Sequence, residues 1–184
     1  IKNDSTNWQD PLYLGNLLNE EEINIQNACK NYCKNELYPR VNEDNRNRFF
    51  DKELYKDFGR LGILGATING YSCAGASHVA YGLIAKEFES VDSGYRSAIS
   101  VQSSLVMHPI YKFGSKEQKD NYLPKLCSGE LVGCFGLTES EAGSDPSSMK
   151  TKIIKKNGNF VINGSKNWIT NAPISDIFLI WALD

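Results

Sequence analysis

A short apolar run that ends in a loop of hydrogen-bond donors is the first place where this chain could do chemistry. Residues 131–137 have the character of a buried strand, and the chain continues through Thr138, two acidic residues, Gly143 and Ser144. Loops of this kind at strand ends often hold cofactors or phosphates. Gly143 permits close backbone approach, while Thr138 and Ser144 supply hydroxyls. Taken alone, the segment is better interpreted as a solvent-exposed turn.

A second segment, Trp168-Ile169-Thr170, favours a ligand site over a solvent-exposed turn. We predict residues 167–170 as a strand. A Trp inside a strand usually packs in a core, and that alternative stays open. Beside an aromatic cofactor, the same side chain would stack on the ring or close off one side. The two segments together therefore favour a cofactor site.

Arg96 is the third candidate, because it is the one charged residue in the Ser-rich segment 95–107. A helix without other charges on any face is typical of a buried position. A buried guanidinium needs an anionic partner. One alternative is a local ion pair with Glu89 or Asp92. We favour a ligand carboxylate held through two N–H groups, with Glu89 either tuning Arg96 or remaining solvated.

Composition excludes several classes of protein. The 184 residues are 41% hydrophobic and 23% charged, with a formal net charge of −2, which is typical of a globular protein and argues against nucleic acid as a partner. No apolar run approaches the roughly 20 residues of a membrane span. The five Cys form no CxxC pair, and the two His are not in ligand spacing, so we expect reduced thiols and no metal site. The common dinucleotide and phosphate loop motifs are absent.

The elements that must position these residues fall into two groups. Asn19 before three Glu residues predicts a helix start, and Ser115 with Gln118 predicts a capping box for a helix that stops near Pro124. Short strands are predicted after residue 127, at 131–137, 152–154, 160–162, 167–170 and 177–183. Asn157-Gly158 and Asn163-Gly164 are predicted as hairpin turns between them.

We therefore predict an α+β fold with two domains. Residues 1–127 form an all-α helical domain, and residues 128–184 form the first part of an antiparallel β domain. The chain stops directly after a strand-like run, which we interpret as an interrupted domain.

Three motifs together resemble the acyl-CoA dehydrogenase flavoprotein family. They are Cys134–Glu139, Gly143–Asp145 and Trp168–Asn171. A longer string, Val91–Ala98 followed by Val101–Tyr111, resembles the glutaryl-CoA dehydrogenase branch of that family and is more specific. The resemblance covers nearly the whole chain.

The resemblance implies a helical domain, a β-barrel-type middle domain and a C-terminal helical bundle, with FAD between the last two. It implies removal of an α-proton from an acyl-CoA, with transfer of hydride from the β-carbon to the flavin. In the glutaryl branch, decarboxylation to crotonyl-CoA follows. Electrons would pass to electron-transfer flavoprotein. A homotetramer in the mitochondrial matrix or the bacterial cytoplasm is implied as well.

Residue roles follow from the same resemblance. The cofactor-binding positions are Phe135, Gly136, Leu137, Thr138, Gly143, Ser144, Trp168, Ile169 and Thr170. Thr138 would hydrogen-bond the flavin ring, and Trp168 would flank it. The substrate-binding positions are Arg96, Ser97, Ser144 and Glu89, with the first two receiving the distal carboxylate of glutaryl-CoA. The catalytic base of the family is a Glu of the C-terminal bundle, expected beyond Asp184, so no residue here is assigned that role.

Two other functions stay open. The first is a short- or medium-chain acyl-CoA dehydrogenase, for which Arg96 is the discriminating residue. The second is an inactive binding or assembly fragment that lacks the catalytic base.

Overall fold

The computed structural model describes residue 8 and residues 10–184, so residues 1–7 and Gln9 of the predicted helical domain lie outside the described residues. The α-helices are α1 (Glu20–Tyr32), α2 (Val41–Asn47), α3 (Leu54–Arg60), α4 (His78–Glu89), α5 (Ser93–Ser100), α6 (His108–Phe113) and α7 (Lys116–Cys127). The strands are β1 (Gly133–Gly136), β2 (Lys152–Lys156), β3 (Asn159–Asn163) and β4 (Ile177–Ile180). Short 3-10 turns occupy Leu14–Leu17, Pro146–Ser148 and Ala172–Ile174, and π-helical segments occupy Cys33–Leu37 and Val101–Met107.

Local capping signals set the starts of two helices, as predicted. At α1 the Asn19 side chain accepts from the Glu22 N–H at 2.9 Å, and the Glu22 carboxylate accepts from the Asn19 N–H at 3.1 Å. Ser115 and Gln118 form the same reciprocal pair at α7. The predicted stop of α7 near Pro124 is wrong, because α7 continues to Cys127. Proline removes one backbone donor, and burial of the last turn of α7 holds the helix together past that point.

The helical core is built around aromatic side chains of α3 and α4. Tyr55 and Phe58 of α3 and Phe88 of α4 are fully buried. The rings of Phe58 and Phe88 meet edge to face, with centroids 5.3 Å apart. This packing fixes α4, and with it the turn that leads into α5.

A π-helical segment joins α5 to α6 and turns polar side chains inward. Gln102 is fully buried, and its amide nitrogen donates to the carbonyls of Leu126 at 3.0 Å and Leu131 at 2.8 Å. Its amide oxygen accepts from the N–H of Gly133 at 2.8 Å. Ser103 accepts from the N–H of Gly65 at 3.0 Å. The segment therefore ties the helices to the first residue of β1.

The strands form two pairs with different orientations. β2 and β3 are antiparallel and are joined by the predicted Asn157-Gly158 turn, in which both residues have positive φ, 52° and 81°. β1 and β4 are parallel, so the prediction of an antiparallel β domain is wrong for this pair. The reason is the long connection from residue 137 to 176, which includes β2 and β3 and returns the chain so that β4 runs in the same direction as β1. Asn163-Gly164 is not a hairpin turn, because residues 164–176 form no strand and β4 pairs with β1.

An ion pair joins the helical part to the strands. Lys52 lies 2.9 Å from the Asp176 carboxylate, which also accepts from the N–H of Val132 at 2.9 Å. Among residues 8 and 10–184, no helix combines the length and apolar character that a bilayer crossing requires.

Candidate functional site

β1 leads directly into the predicted cofactor loop. At Gly136 an added Cβ would lie 2.6 Å from Cδ1 of Ile180, so a larger residue there would require the Ile180 side chain to move. After Leu137 and Thr138, Glu139 and Ala142 pair through two backbone hydrogen bonds of 3.1 and 3.2 Å. This places the intervening turn, and Gly143 and Ser144 after it, at the surface.

The structure brings the two predicted cofactor segments together. The Asn167 N–H donates to the Thr138 carbonyl at 2.9 Å. Lys166 Nζ donates to the Leu137 carbonyl at 2.9 Å. The residue that precedes Trp168 is thereby bonded to the loop, although the two segments lie far apart in sequence.

Trp168 does not lie in a strand, and the predicted strand at 167–170 is wrong. Residues 167–170 are irregular, and Trp168 has a left-handed backbone with φ 57°. Its side chain is 95% exposed, which excludes the alternative of a core Trp. A bulky residue at positive φ is strained, and strain of this kind concentrates at ligand sites. An exposed indole next to the loop offers a flat apolar face to a ligand ring.

The backbone around this indole presents unused donors. The N–H groups of Thr138, Trp168, Ile169 and Thr170 make no backbone–backbone hydrogen bond within the described part of the chain. Thr138 and Ile169 are half-buried, and Trp168 and Thr170 are exposed. Adjacent unpaired donors beside an aromatic face suit the carbonyl and nitrogen edge of a flavin ring.

An ion pair at the base of the loop was missed by sequence reasoning. Lys166 Nζ lies 2.8 Å from the Glu139 carboxylate, and both side chains are only 9% exposed. The Glu139 carboxylate also accepts from the N–H groups of Lys150 at 2.6 Å and Thr151 at 3.0 Å. Hydrogen bonds to the carboxylate, with that from Lys166 the largest cause, lower the pKa of Glu139 to about 2. The sequence signal was slight: a Lys two residues before the Trp of the second segment.

Arg96 is less buried than predicted. Its side chain is 36% exposed, and its Nε lies 2.6 Å from the Glu89 carboxylate, which is the local ion pair considered as the alternative. Hydrogen bonds from Ser93 and then from Arg96 hold the pKa of Glu89 below its usual value. The face of α5 that carries Arg96 is only half covered, whereas Tyr95, Ala98 and Ile99 fill the core.

The pairing with Glu89 leaves part of the guanidinium free. It engages Nε alone, and no other ion pair of Arg96 is found in the described ranges. The two Nη groups thus remain able to bind a second carboxylate. Ser97, the next residue on α5, is half-buried. Within the described part of the chain, no hydrogen bond or ion pair joins Arg96 or Ser97 to the loop around Thr138.

An apolar groove lies elsewhere, between α6, α7 and β4. Its volume is about 540 Å³, and Ile110, Tyr122 and Trp181 are among its lining residues. The Phe135 ring meets Trp181 edge to face at 6.0 Å, so the wall of the groove continues into β1. None of the predicted site residues lines the groove itself.

Donor groups suited to a metal ion are not clustered. Within residues 8 and 10–184, no three His, Cys, Asp or Glu side chains are placed to hold a cation. The chemistry of the site therefore centres on hydrogen-bond donors, the indole and the two ion pairs.

A helical domain that leads into a sheet, with a donor-rich loop after the first strand, matches one family over nearly the whole chain. The family model for "Acyl-CoA dehydrogenase, N-terminal domain" matches residues 19–130, and the one for "Acyl-CoA dehydrogenase, middle domain" matches residues 134–184. The chain belongs to the acyl-CoA dehydrogenase family, which confirms the resemblance and the fold predicted from it.

Particular relatives differ in their substrates. An acyl-CoA dehydrogenase of Bacillus subtilis (strain 168) is 35% identical over 165 residues, covering 89% of this chain and 44% of the relative. The mitochondrial isovaleryl-CoA dehydrogenase of Bos taurus is 36% identical over 170 residues, covering 91% and 40%. The chain thus spans less than half the length of these relatives.

Solved structures give the same picture. Glutaryl-CoA dehydrogenase from Mycobacterium smegmatis, in complex with FADH2, is 42% identical with a TM-score of 0.89, over 91% of this chain and 44% of that one. Butyryl-CoA dehydrogenase from Megasphaera elsdenii is 33% identical with a TM-score of 0.84, over 90% and 44%.

Proposed function

We propose that this chain supplies the helical domain and one wall of the FAD site of an enzyme that oxidises glutaryl-CoA. The observation that carries the proposal is the Asn167–Thr138 hydrogen bond of 2.9 Å, which sets the exposed Trp168 beside unpaired backbone donors. The similarity to a glutaryl-CoA dehydrogenase solved with FADH2, at 42% identity, supports the choice of cofactor and substrate.

The residues of this chain would hold FAD and do no bond-breaking themselves. Thr138 and the N–H groups of Trp168 to Thr170 would donate to the polar edge of the ring, and the indole of Trp168 would cover one side. Bound there, FAD would supply the acceptor for the hydride lost from the β-carbon of the acyl-CoA. Ser144, at the surface, would reach the acyl-CoA.

Arg96 would select the substrate. Glu89 holds Nε and so orients the guanidinium, while the Nη groups would receive the distal carboxylate of glutaryl-CoA, with Ser97 beside them. Butyryl and isovaleryl groups carry no such charge. We place the catalytic base outside residues 1–184, following the resemblance, and we propose decarboxylation to crotonyl-CoA as the following step.

The electron acceptor, the assembly and the location of the enzyme are proposed from the family resemblance. We propose electron-transfer flavoprotein as the electron acceptor, a homotetramer as the assembled enzyme, and the mitochondrial matrix or bacterial cytoplasm as its location. Residues 1–127 and 128–184 are proposed as its helical domain and the first part of its β domain.

Substitution of Arg96 tests the substrate. In the full-length protein, we expect Arg96→Gln to lower kcat/KM for glutaryl-CoA about 30-fold or more, because the carboxylate loses its charged donor, at about 2 kcal/mol. Turnover of butyryl-CoA should change less than about threefold. The same substitution at Arg60, an exposed residue of α3 paired with Asp57, is the matched control.

The outcomes separate the candidate functions. Flavin absorbance with preference for glutaryl-CoA supports the proposal. Equal turnover of glutaryl-CoA and butyryl-CoA by the unsubstituted enzyme would identify a short- or medium-chain dehydrogenase. A full-length protein with neither flavin nor turnover would leave the binding or assembly role.

A further inference from the structure

The Glu139–Lys166 pair is the most buried ion pair of the described chain and lies directly beneath the cofactor loop. Its charges have several partners. Glu139 accepts from two backbone N–H groups at the entrance to β2, and Lys166 donates to the Leu137 carbonyl at 2.9 Å. One pair therefore connects three segments: the loop, the start of β2 and the segment that carries Trp168.

The close packing of these segments also depends on Gly164, which has no Cβ. An added Cβ at Gly164 would lie 2.1 Å from the Thr151 hydroxyl and 2.7 Å from the Thr151 Cα. Thr151 is buried and donates its N–H to Glu139. The chain two residues before Lys166 is thus pressed against the same segment that Glu139 holds, which fixes the lysine stem.

Stability alone is a poor explanation for such a pair. A buried ion pair loses the hydration of both charges, and well-packed apolar residues commonly stabilise a protein as well or better. The pair instead orients and polarises a neighbouring peptide group. The Nζ cation next to the Leu137 carbonyl polarises the peptide group that joins Leu137 to Thr138, and the N–H of that peptide belongs to Thr138.

We infer that Lys166 is a positioning residue for the flavin site, which fixes and polarises the Leu137–Thr138 peptide so that the Thr138 N–H donates to the flavin ring. The inference rests on the proposed function. It differs from the roles assigned to the loop residues, because Lys166 acts through the Leu137 carbonyl and not by contact with the flavin. A nearby ion pair, Lys150 with Glu141, shows the contrast: both side chains are exposed, 75% and 71%.

The experiment compares three variants of the full-length protein. Lys166→Met keeps the stem and removes the charge, Lys166→Arg keeps the charge, and Lys150→Met removes an exposed charge from the same region. FAD affinity is measured by fluorescence titration of the apoprotein, and the flavin reduction potential by dye equilibration. Hydrogen exchange of the Thr151 and Asn167 amides reports whether the segments stay joined.

We expect Lys166→Met to weaken FAD binding about tenfold or more and to shift the flavin potential to more negative values, because the Thr138 N–H, the donor to the ring, is no longer fixed and polarised through the Leu137 carbonyl. Lys166→Arg should restore both quantities to within about threefold and Lys150→Met should change neither. Faster amide exchange in Lys166→Met alone would accompany this result.

Failure of the inference can be distinguished from failure of the proposed function. If the unsubstituted protein binds FAD while Lys166→Met keeps the same affinity and potential, the inference is overturned and the proposed function stands. If the unsubstituted protein binds no FAD, the proposed function fails and the role of Lys166 fails with it, whereas a change in amide exchange would still show the structural link. A variant whose exchange loosens while flavin potential is unchanged also overturns the inference.

Discussion

Substitution of Gln102 by Leu should destabilise the protein, since the amide of Gln102 makes three hydrogen bonds at a fully buried position. The Leu126 carbonyl keeps a partner, because it also accepts from Gly129 at 3.3 Å. The Leu131 carbonyl and the Gly133 N–H would lose theirs. At roughly 1–3 kcal/mol for each unpaired buried group, the cost is about 2–6 kcal/mol.

Leucine offsets about 1–2 kcal/mol of this cost, because it buries a more apolar side chain. The net expectation is a loss of about 1–4 kcal/mol in the free energy of unfolding. Urea titration of the full-length protein, followed by circular dichroism, measures it. Gln118→Leu is the matched control: Gln118 is exposed and makes one capping bond of 2.8 Å to the Ser115 N–H, so its loss should cost about 0.5–1 kcal/mol.

A change for Gln102→Leu of less than about 1 kcal/mol, or one equal to that of the control, would refute the reasoning. It would mean that the start of β1 does not depend on the buried amide. A large loss would instead show that the π-helical segment anchors the strand that leads into the cofactor loop.

Two further predictions concern the loop and its neighbour. Trp168→Ala should weaken FAD binding in the full-length protein about tenfold while leaving the urea midpoint unchanged, because the side chain is 95% exposed; an altered midpoint with unaltered binding would contradict this. Glu139 has its pKa lowered to about 2 from an ordinary value of 4.5, so its stabilising effect is complete above pH 4.5 and is lost as the pH falls towards 2. The stability difference between the unsubstituted protein and Glu139→Gln should therefore shrink between pH 6 and pH 3, and a constant difference would speak against the ion pair.

Local signals in the sequence predicted the helix starts well. Asn19 and Ser115 act on backbone groups three residues away, so the sequence contains the whole interaction. The Asn157-Gly158 turn is local in the same sense. The apolar run before Thr138 likewise predicted a strand that ends in a loop, and β1 confirms the strand.

Features set by distant contacts were not predictable. Trp168 and its neighbours have the composition of a strand, but the bond from Asn167 to Thr138 and the positive φ of Trp168 override that preference. The burial of Arg96 was overestimated because a lack of charge does not reveal which face of a helix is covered. Glu139 and Lys166 are 27 residues apart, and only the folded chain brings them together.

The π-helical segment Val101–Met107 also sets an angle between two parts of the molecule. In an α-helix each residue advances the direction of the side chains by about 100°. Residues 102, 103, 106 and 107 of this segment are buried together, and each residue of its wider turns advances the direction by less than in an α-helix. Deleting one residue while the winding stayed the same would turn α6 by nearly one such step relative to α5, whereas a deletion that also restored α-helical winding would largely preserve its direction. The winding of this one segment therefore decides whether Ile110 in the groove and Arg96 on α5 keep their relative directions when the chain changes length.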